Sequence, residues 1–400
     1  MGALLCSSLY MWKFLALTCT ASLALSGCGG GGGGGAPPAS PPCAVDSRTC
    51  YVSVNGSDTD SGADAAHALR TISRAAQLAE DVYTIVVMPG TYAESVSANR
   101  VGNVAQALRF IADSRQLGDV VVDASGTSGA AGFNLSGTQG SMIDGFTIVG
   151  GADAGIVIKS GSDNFTIQNC IVHDNPGDGI RVQDSANALV FDNLVYDNGA
   201  RGIAVVGNGS GSPSANVINN TVYGHQDRGI TIGTTQAASP GAFLRNNILQ
   251  MNARALNIDS NLRVFTLPDS LLNYNGDFDL VFAPTNYLPT SAQGANDITV
   301  DALFVNAAAA DFHLRSDSPA IDRGDSLSDA TLLTSLRMRT TGNGRPDTGP
   351  LDLGYHYTIS GTTVSTPTAG PTRTVGGTRT AVPTRTGVPT RTPVPTRTPR

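Results

Sequence analysis

The chain has 400 residues, 40% hydrophobic but only 14% charged, and 47 of them are glycine. That length suffices for a large core, while abundant Gly and Asn with few Lys or Glu disfavour a helical protein. The formal charge is −7, and because residues 361–400 hold six Arg and no Asp or Glu, setting those six aside leaves −13 on the rest. An acidic body lacks the basic footprint of a nucleic-acid binder, so no nucleic-acid partner is expected.

The first 27 residues read as an export signal. Lys13 supplies a positive charge, and Phe14 to Leu25 is an apolar run too short to span a bilayer comfortably. The run ends in Leu25-Ser26-Gly27-Cys28, which resembles the lipobox of bacterial lipoproteins. The resemblance implies cleavage before Cys28, diacylglycerol on its sulfur, and membrane attachment through that lipid, in the periplasm or at the cell surface. Residues 28–42, with seven consecutive glycines from Gly29, read as a flexible linker. Cys43 and Cys50 follow in an exported context, where a disulfide between them is expected.

Residues 358–400 are rich in Thr, Pro and Arg, with Arg373, Arg379, Arg385, Arg391 and Arg397 every six residues. Such a tail has no periodic apolar face and reads as extended and disordered.

Between these ends the sequence repeats. Segments starting at Gly155, Gly179, Gly202, Gly229 and Ala255 read GIVIKS, GIRVQD, GIAVVG, GITIGT and ALNIDS. Each alternates apolar and polar residues, the pattern of a strand. Ile156, Ile180, Ile203, Ile230 and Leu256 form one aliphatic register; Ile158, Val182, Val205, Ile232 and Ile258 form the next. Equivalent strands one coil apart predict parallel stacking at about 4.8 Å. A second register places Asn169, Asn193, Asn220 and Asn247 as a stacked ladder, with Gly145 one coil earlier and Cys170 in the core.

These repeats resemble the right-handed parallel β-helix proteins of the pectate-lyase-like superfamily. The opening module, residues 50–96, is similar to that of many exported β-helix proteins: YVS-x-x-G-x-D, a short helix near Thr71 to Ala79 with Ile72, Ala75, Ala76 and Ala79 on one side, then TI-x-V-x-PGTY-x-E. The helix is expected to cap the open solenoid end. Regular coils are expected over about 130–275, and an exit segment over 301–357. The predicted fold class is therefore all-β: a right-handed parallel β-helix at 43–357 with a short N-terminal capping helix and disordered N- and C-terminal linkers, in a chain expected to be a monomer.

In lyases of this superfamily the polysaccharide lies along an outer sheet face. The outward positions here are Val157, Arg181, Ala204, Thr231 and Asn257, then Lys159, Gln183, Val206, Gly233 and Asp259. β-Elimination of a uronate needs a cation to neutralise the carboxylate and a base to take the neighbouring proton; Lys or Arg serves as base in these families. Lys159, with Arg181 one coil away, is the candidate catalytic pair, and Gln183 a substrate contact. The residues just before the coil starts run Ala154, Asp178, Arg201, Arg228, Arg254. Three stacked arginines suit a row of anions, so Arg201, Arg228 and Arg254 are the predicted grip on acidic sugars.

Three further features have a structural and a chemical reading. His173 and His225, beside Asp174 and Asp227, read as solvated turn residues or as general acids and bases. Asp58, Asp60 and Asp64 form a D-x-D-x-G-x-D loop that reads as Asx turns, or as a Ca²⁺ site; Asp178 and Asp184 are the carboxylates nearest Lys159 for a calcium-dependent lyase. No NTD with a following DD pair is present, which disfavours two-carboxylate glycoside hydrolysis. The reading is a cell-surface β-helix protein that binds polysaccharide; the alternative is a polysaccharide lyase or epimerase on acidic glycans. The sequence leaves catalysis, metal and glycan open.

Overall fold

The computed structural model describes residues 43–44, 48–79, 83–100, 107–113, 118–159, 161–207, 213–234, 240–258, 274–288, 293–342 and 344–359. The signal, Cys28 and the linker after it, Asp259 and the arginine repeats of the tail lie outside the described residues.

Three parallel sheets wind into a β-helix. The first has nine strands, from Thr49–Val52 to Tyr274–Asp277; the second has eight, from Gly90–Tyr92 to Leu280–Phe282; the third has eight, from Val96–Asn99 to Tyr287–Leu288. Each coil visits the first, second and third sheets in turn. The stacking therefore begins before residue 130 and continues past 275, because the opening module contributes strands to the same three sheets.

The aliphatic registers stack as side-chain columns. Ile156 pairs with Ile180, Ile180 with Ile203, Ile203 with Ile230 and Ile230 with Leu256, and all five are buried. Alternation sends every second residue inward, so equal spacing from coil to coil puts like on like. Nearer the opening module aromatic rings meet across the interior: Phe133 touches Phe110 and Phe146 edge-on at 5.3 and 5.4 Å between ring centroids.

A helix, α1 (Ile72–Leu78), caps the first coil. Thr71 accepts the backbone N–H of Arg74, and the carboxylate of Glu94 accepts those of Ile72 and Ser73 at 2.7 and 2.9 Å. An anion there complements the helix dipole, which gives the glutamate of PGTY-x-E its job. Ile72, Ala75 and Ala76 are buried in the core. A disulfide joins Cys43 to Cys50 beside this cap.

The asparagine ladder exists with Asn193, Asn220 and Asn247 where the sequence places them, but Asn169 is one residue out of register. Ile171 pairs with Leu194, not Cys170 with Leu194. The rungs are Asn193, Asn220, Asn247 and Asp279: the backbone N–H and Nδ2 of each asparagine donate to the side-chain oxygen of the next at 2.8–3.0 Å. Asn169 belongs instead to the left-handed corner column with Gly145, Asp192, Asn219 and Asn246. Cys170 holds the rung below Asn193 and is fully buried, with burial pushing its thiol up to about 12.

Residues 301–358 do not lengthen the stack. Phe304–Asn306 and Asp311–Leu314 form a hairpin, followed by α2 (Ala330–Arg337) and the short pair Arg339–Thr340 with Tyr357–Thr358. They fold back over the coils. Phe312, Tyr355 and Tyr357 cover Ile171, Leu194 and Tyr196 outside the second sheet, while Leu336 and Leu351 cover Phe191 and Ile218 outside the first. Among the described residues no helix is long and apolar enough to cross a membrane.

Candidate functional site

The third sheet carries the residues singled out by sequence. Five of its eight strands, from Ala131–Ser136 to Arg228–Thr234, have glycine as their second residue, where a side chain would meet the neighbouring coil. A Cβ on Gly179 would stand 2.6 Å from the carbonyl oxygen of Gly202 and 2.6 Å from the Val195 side chain. The residues before the glycines stack as expected: Ala154 pairs with Asp178, Arg201 with Arg228, and Arg228 with Arg254.

Those four charges are not equivalent. Asp178, with a side chain 2% exposed, accepts from Arg181 Nε at 2.7 Å and from Arg201 Nε and Nη2 at 2.8 and 2.6 Å. Burial alone would raise its pKa, but Arg201 and then Arg181 outweigh that and hold it below the ordinary carboxylate value. Arg181 also reaches Asp153 through Nη1 and Nη2 at 2.8 and 2.9 Å. Arg228 has a looser partner, Asp227, 3.5 Å from its Nε. Arg254 is exposed and makes no ion pair among the described residues. Four arginines thus face three aspartates, Asp153, Asp178 and Asp227, and the excess positive charge lies at the Arg228 and Arg254 rungs.

Two expectations about this face need correction. First, Arg181 is not a free cation for substrate: two carboxylates close its guanidinium. Asp153, two residues before Gly155, is the partner the sequence reading missed. Likewise Asp178 is committed to two arginines rather than open to calcium. Second, the central outward row is not a solvent-exposed floor. Val157, Ala204 and Thr231 are 1%, 0% and 3% exposed. Small side chains sit low there, and Arg181, next to Val157 in register, reaches from it to Asp153. The Thr231 hydroxyl and Arg228 Nε are buried without a hydrogen-bond partner among the described residues.

Lys159 follows the strand Ala154–Ile158. Its backbone N–H donates to Leu135 O at 2.8 Å, and its carbonyl accepts the Ser185 hydroxyl at 2.7 Å. Register continuation puts Gln183 beside it on the next rung. Its ammonium makes no hydrogen bond or ion pair among the described residues. The structure thus places Lys159 beside Gln183 and near the Arg181 strand, but Arg181 itself faces away to Asp153 and Asp178.

Other candidates resolve into structural parts. Asp58 accepts the N–H groups of Arg70 and Thr71 and the Thr71 hydroxyl, and Asp64 accepts those of Ala66 and His67. Among the described residues no three His, Cys, Asp or Glu side chains are grouped to hold a metal ion. His173 stacks flat on Tyr196 at 4.6 Å and bonds Asp174. His225 is no solvated turn residue: it is 2% exposed in a second ladder with Asn175, Asn198 and Asn252. The signal for that ladder was a polar residue four positions before Gly179, Gly202 and Gly229.

With this geometry in view, residues 50–211 match the family model described as "Pel9A-like, right handed beta helix region". No curated protein matches the chain. Among solved structures, the crystal structure of pectate lyase Pel9A aligns at 14% identity and a TM-score of 0.47, covering 76% of this chain and 96% of its own. A rhamnogalacturonan lyase aligns at 13% identity and a TM-score of 0.43, covering 71% of this chain and 97% of its own. Over residues 50–211, then, the chain is similar to the Pel9A-like right-handed β-helix region.

Proposed function

We propose that the protein binds acidic polysaccharide at the surface of the cell, held there by a lipid on Cys28, with Arg228 and Arg254 as the anion grip. The observation that carries this reading is the unequal neutralisation of the arginine file. Arg181 and Arg201 are consumed by Asp153 and Asp178, whereas Arg228 and Arg254 stand on adjacent rungs with one carboxylate, Asp227, between them. Two arginines on rungs about 4.8 Å apart that share a single carboxylate are costly unless an anion lies across them. The similarity of residues 50–211 to the Pel9A-like region supports a polysaccharide as the ligand.

The same geometry weighs against the lyase or epimerase alternative. That chemistry needs a cation beside Lys159 to neutralise a uronate, and Arg181 is closed by two carboxylates.

The test is retention on immobilised uronate polymers, with ultraviolet absorbance of unsaturated chain ends followed in solution, with and without Ca²⁺. The expected result is retention that falls at least tenfold in the Arg228→Ala/Arg254→Ala double variant, with no absorbance. Unchanged retention in that variant would overturn the grip; new absorbance that vanishes in Lys159→Ala would establish the lyase instead.

A further inference from the structure

A charge cluster unrelated to the third sheet lies where the exit segment meets the coils. Asp192 stands at a left-handed corner between the first and second sheets, completely buried. Its Oδ2 accepts from Arg339 Nη1 at 2.9 Å, and its Oδ1 accepts the backbone N–H of His356 at 2.6 Å. The His356 ring is buried too. Its Nδ1 faces the carbonyl oxygen of Gly354 at 2.9 Å, and its Nε2 faces Asp347 Oδ2 at 3.0 Å. A carbonyl and an ionised carboxylate can only accept, so both ring nitrogens donate and the ring is an imidazolium.

The groups around His356 are identifiable from every side. Asp192 comes from the coils; Arg339, Asp347, Asp352, Tyr355 and Tyr357 come from the returning segment. Asp192 Oδ1 lies 3.8 Å from His356 Nδ1. Asp347 Oδ2 also accepts the Asp352 N–H at 3.0 Å, and Asp352 accepts the Thr341 hydroxyl and the Asp322 N–H. Three carboxylates are thus balanced by two cations while His356 is protonated, and by Arg339 alone once it is not. Buried charge left without a partner is strongly unfavourable.

We propose that this cluster makes the returning segment a proton-dependent clasp. With His356 charged, residues 339–357 are fastened to Asp192 over the first and second sheets. When His356 gives up its proton above neutral pH, those residues loosen while the coils stay paired.

The titration of the cluster supports that direction. Burial disfavours the His356 charge, but Asp347 and then Asp192 outweigh it and raise its pKa above the ordinary histidine value. Burial also raises Asp192 and Asp352, Arg339 and Thr341 respectively offsetting it in part. All three groups bind a proton more tightly in the closed clasp than in a loosened chain. The His356 contribution is therefore complete below its unfolded value near 6.5 and is lost as pH rises through the raised folded one, whereas those of Asp192 and Asp352 are complete only below their unfolded value near 3.8 and decline above it. A loosened segment would uncover Tyr196, Ile171, Phe191 and Ile218, the apolar residues it now shields.

Hydrogen exchange of the full chain by mass spectrometry, corrected for the intrinsic pH dependence of amide exchange, tests the clasp. Between pH 6 and pH 9 we expect protection of peptides within 339–357 to fall at least tenfold, while peptides from the strands Asp178–Gln183 and Arg201–Gly207 keep theirs. His356→Gln, which retains one donor but has no charge, should show a pH-independent profile. Asp347→Asn should move the transition of the otherwise native chain to lower pH. Constant protection across this range in the unaltered protein would overturn the proposal, as would a persisting transition in folded His356→Gln or an unshifted one in folded Asp347→Asn.

Discussion

The backbone N–H of Asn198 donates to Nδ1 of His225 at 3.2 Å, while His225 Nε2 stands 3.2 Å from Val195 O. A neutral imidazole, protonated on Nε2, thus does in one coil what an asparagine amide does in its neighbours: Asn252 Nδ2 donates to Val222 O in the same way. Burial lowers the His225 pKa to about 4. The unfolded chain therefore binds more protons than the folded one between pH 6.5 and 4, and stability falls as the solution is acidified through that window, by about 3 kcal/mol in full. His225→Asn should keep stability at pH 7 within about 1 kcal/mol and remove this acid loss, whereas His225→Ala should cost about 2–4 kcal/mol at pH 7 by stranding buried polar groups. Urea denaturation at pH 7 and pH 5 reads both.

The glycine column predicts a steric cost. A Cβ on Gly202 would meet Val222 Cγ1 at 2.5 Å, His225 Nε2 at 2.6 Å and Gly229 O at 2.7 Å. Gly202→Ala should therefore destabilise by about 1–3 kcal/mol, as overpacking does. Ala255 occupies the same column one coil beyond Gly229, so Ala255→Gly should cost under about 1 kcal/mol. Denaturation midpoints of the two variants should differ accordingly.

Asp178 is predicted to be structural. Asp178→Ala leaves Arg181 and Arg201 without their shared acceptor; because both arginines keep some solvent, the expected loss is about 2 kcal/mol. Since its folded pKa is lowered, its contribution is present above the unfolded value near pH 4 and disappears as pH falls through the folded one. By contrast, Arg254→Ala should leave the melting temperature within about 1 °C while weakening retention on a uronate polymer. Calorimetry beside affinity electrophoresis separates the two effects.

The Cys170 thiol should be inert in the folded protein. It is fully buried, its Sγ faces Gln168 O at 3.1 Å, and its pKa is pushed up to about 12. A thiol reagent at pH 8 should label it only at the rate of unfolding, and labelling should become immediate in denaturant.

The solenoid was readable because Ile156, Ile180, Ile203 and Ile230 mark the same inward position in coils of unequal length. Only Asn169 was misaligned in the ladder, for a local reason. Asparagine suits both the left-handed corner and the rung after it, and Asn219-Asn220 and Asn246-Asn247 fill both, so the single Asn169 fitted either place. His225 was hidden because an imidazole fills an amide position without any change in periodicity. The stacking of Arg201, Arg228 and Arg254 was legible from spacing, but their neutralisation was not. It depends on how far Arg181 reaches across a rung to Asp153. The Asp192 cluster was beyond a local reading, since Asp192 meets Arg339 and His356 across 147 and 164 residues.

That last separation changes how the molecule should come apart. A solenoid whose coils touch only their neighbours behaves as a one-dimensional array, open to shortening from either end. Here Gly354 donates to Asn246, Tyr355 to Thr221 and His356 to Asp192, so a short stretch made after all three sheets spans three successive coils from outside. Deleting it would strip a shared brace from the middle of the array instead of removing a terminal repeat. Unfolding of those coils becomes a joint event, and their bracing in the nascent chain waits until residues 354–356 have been made.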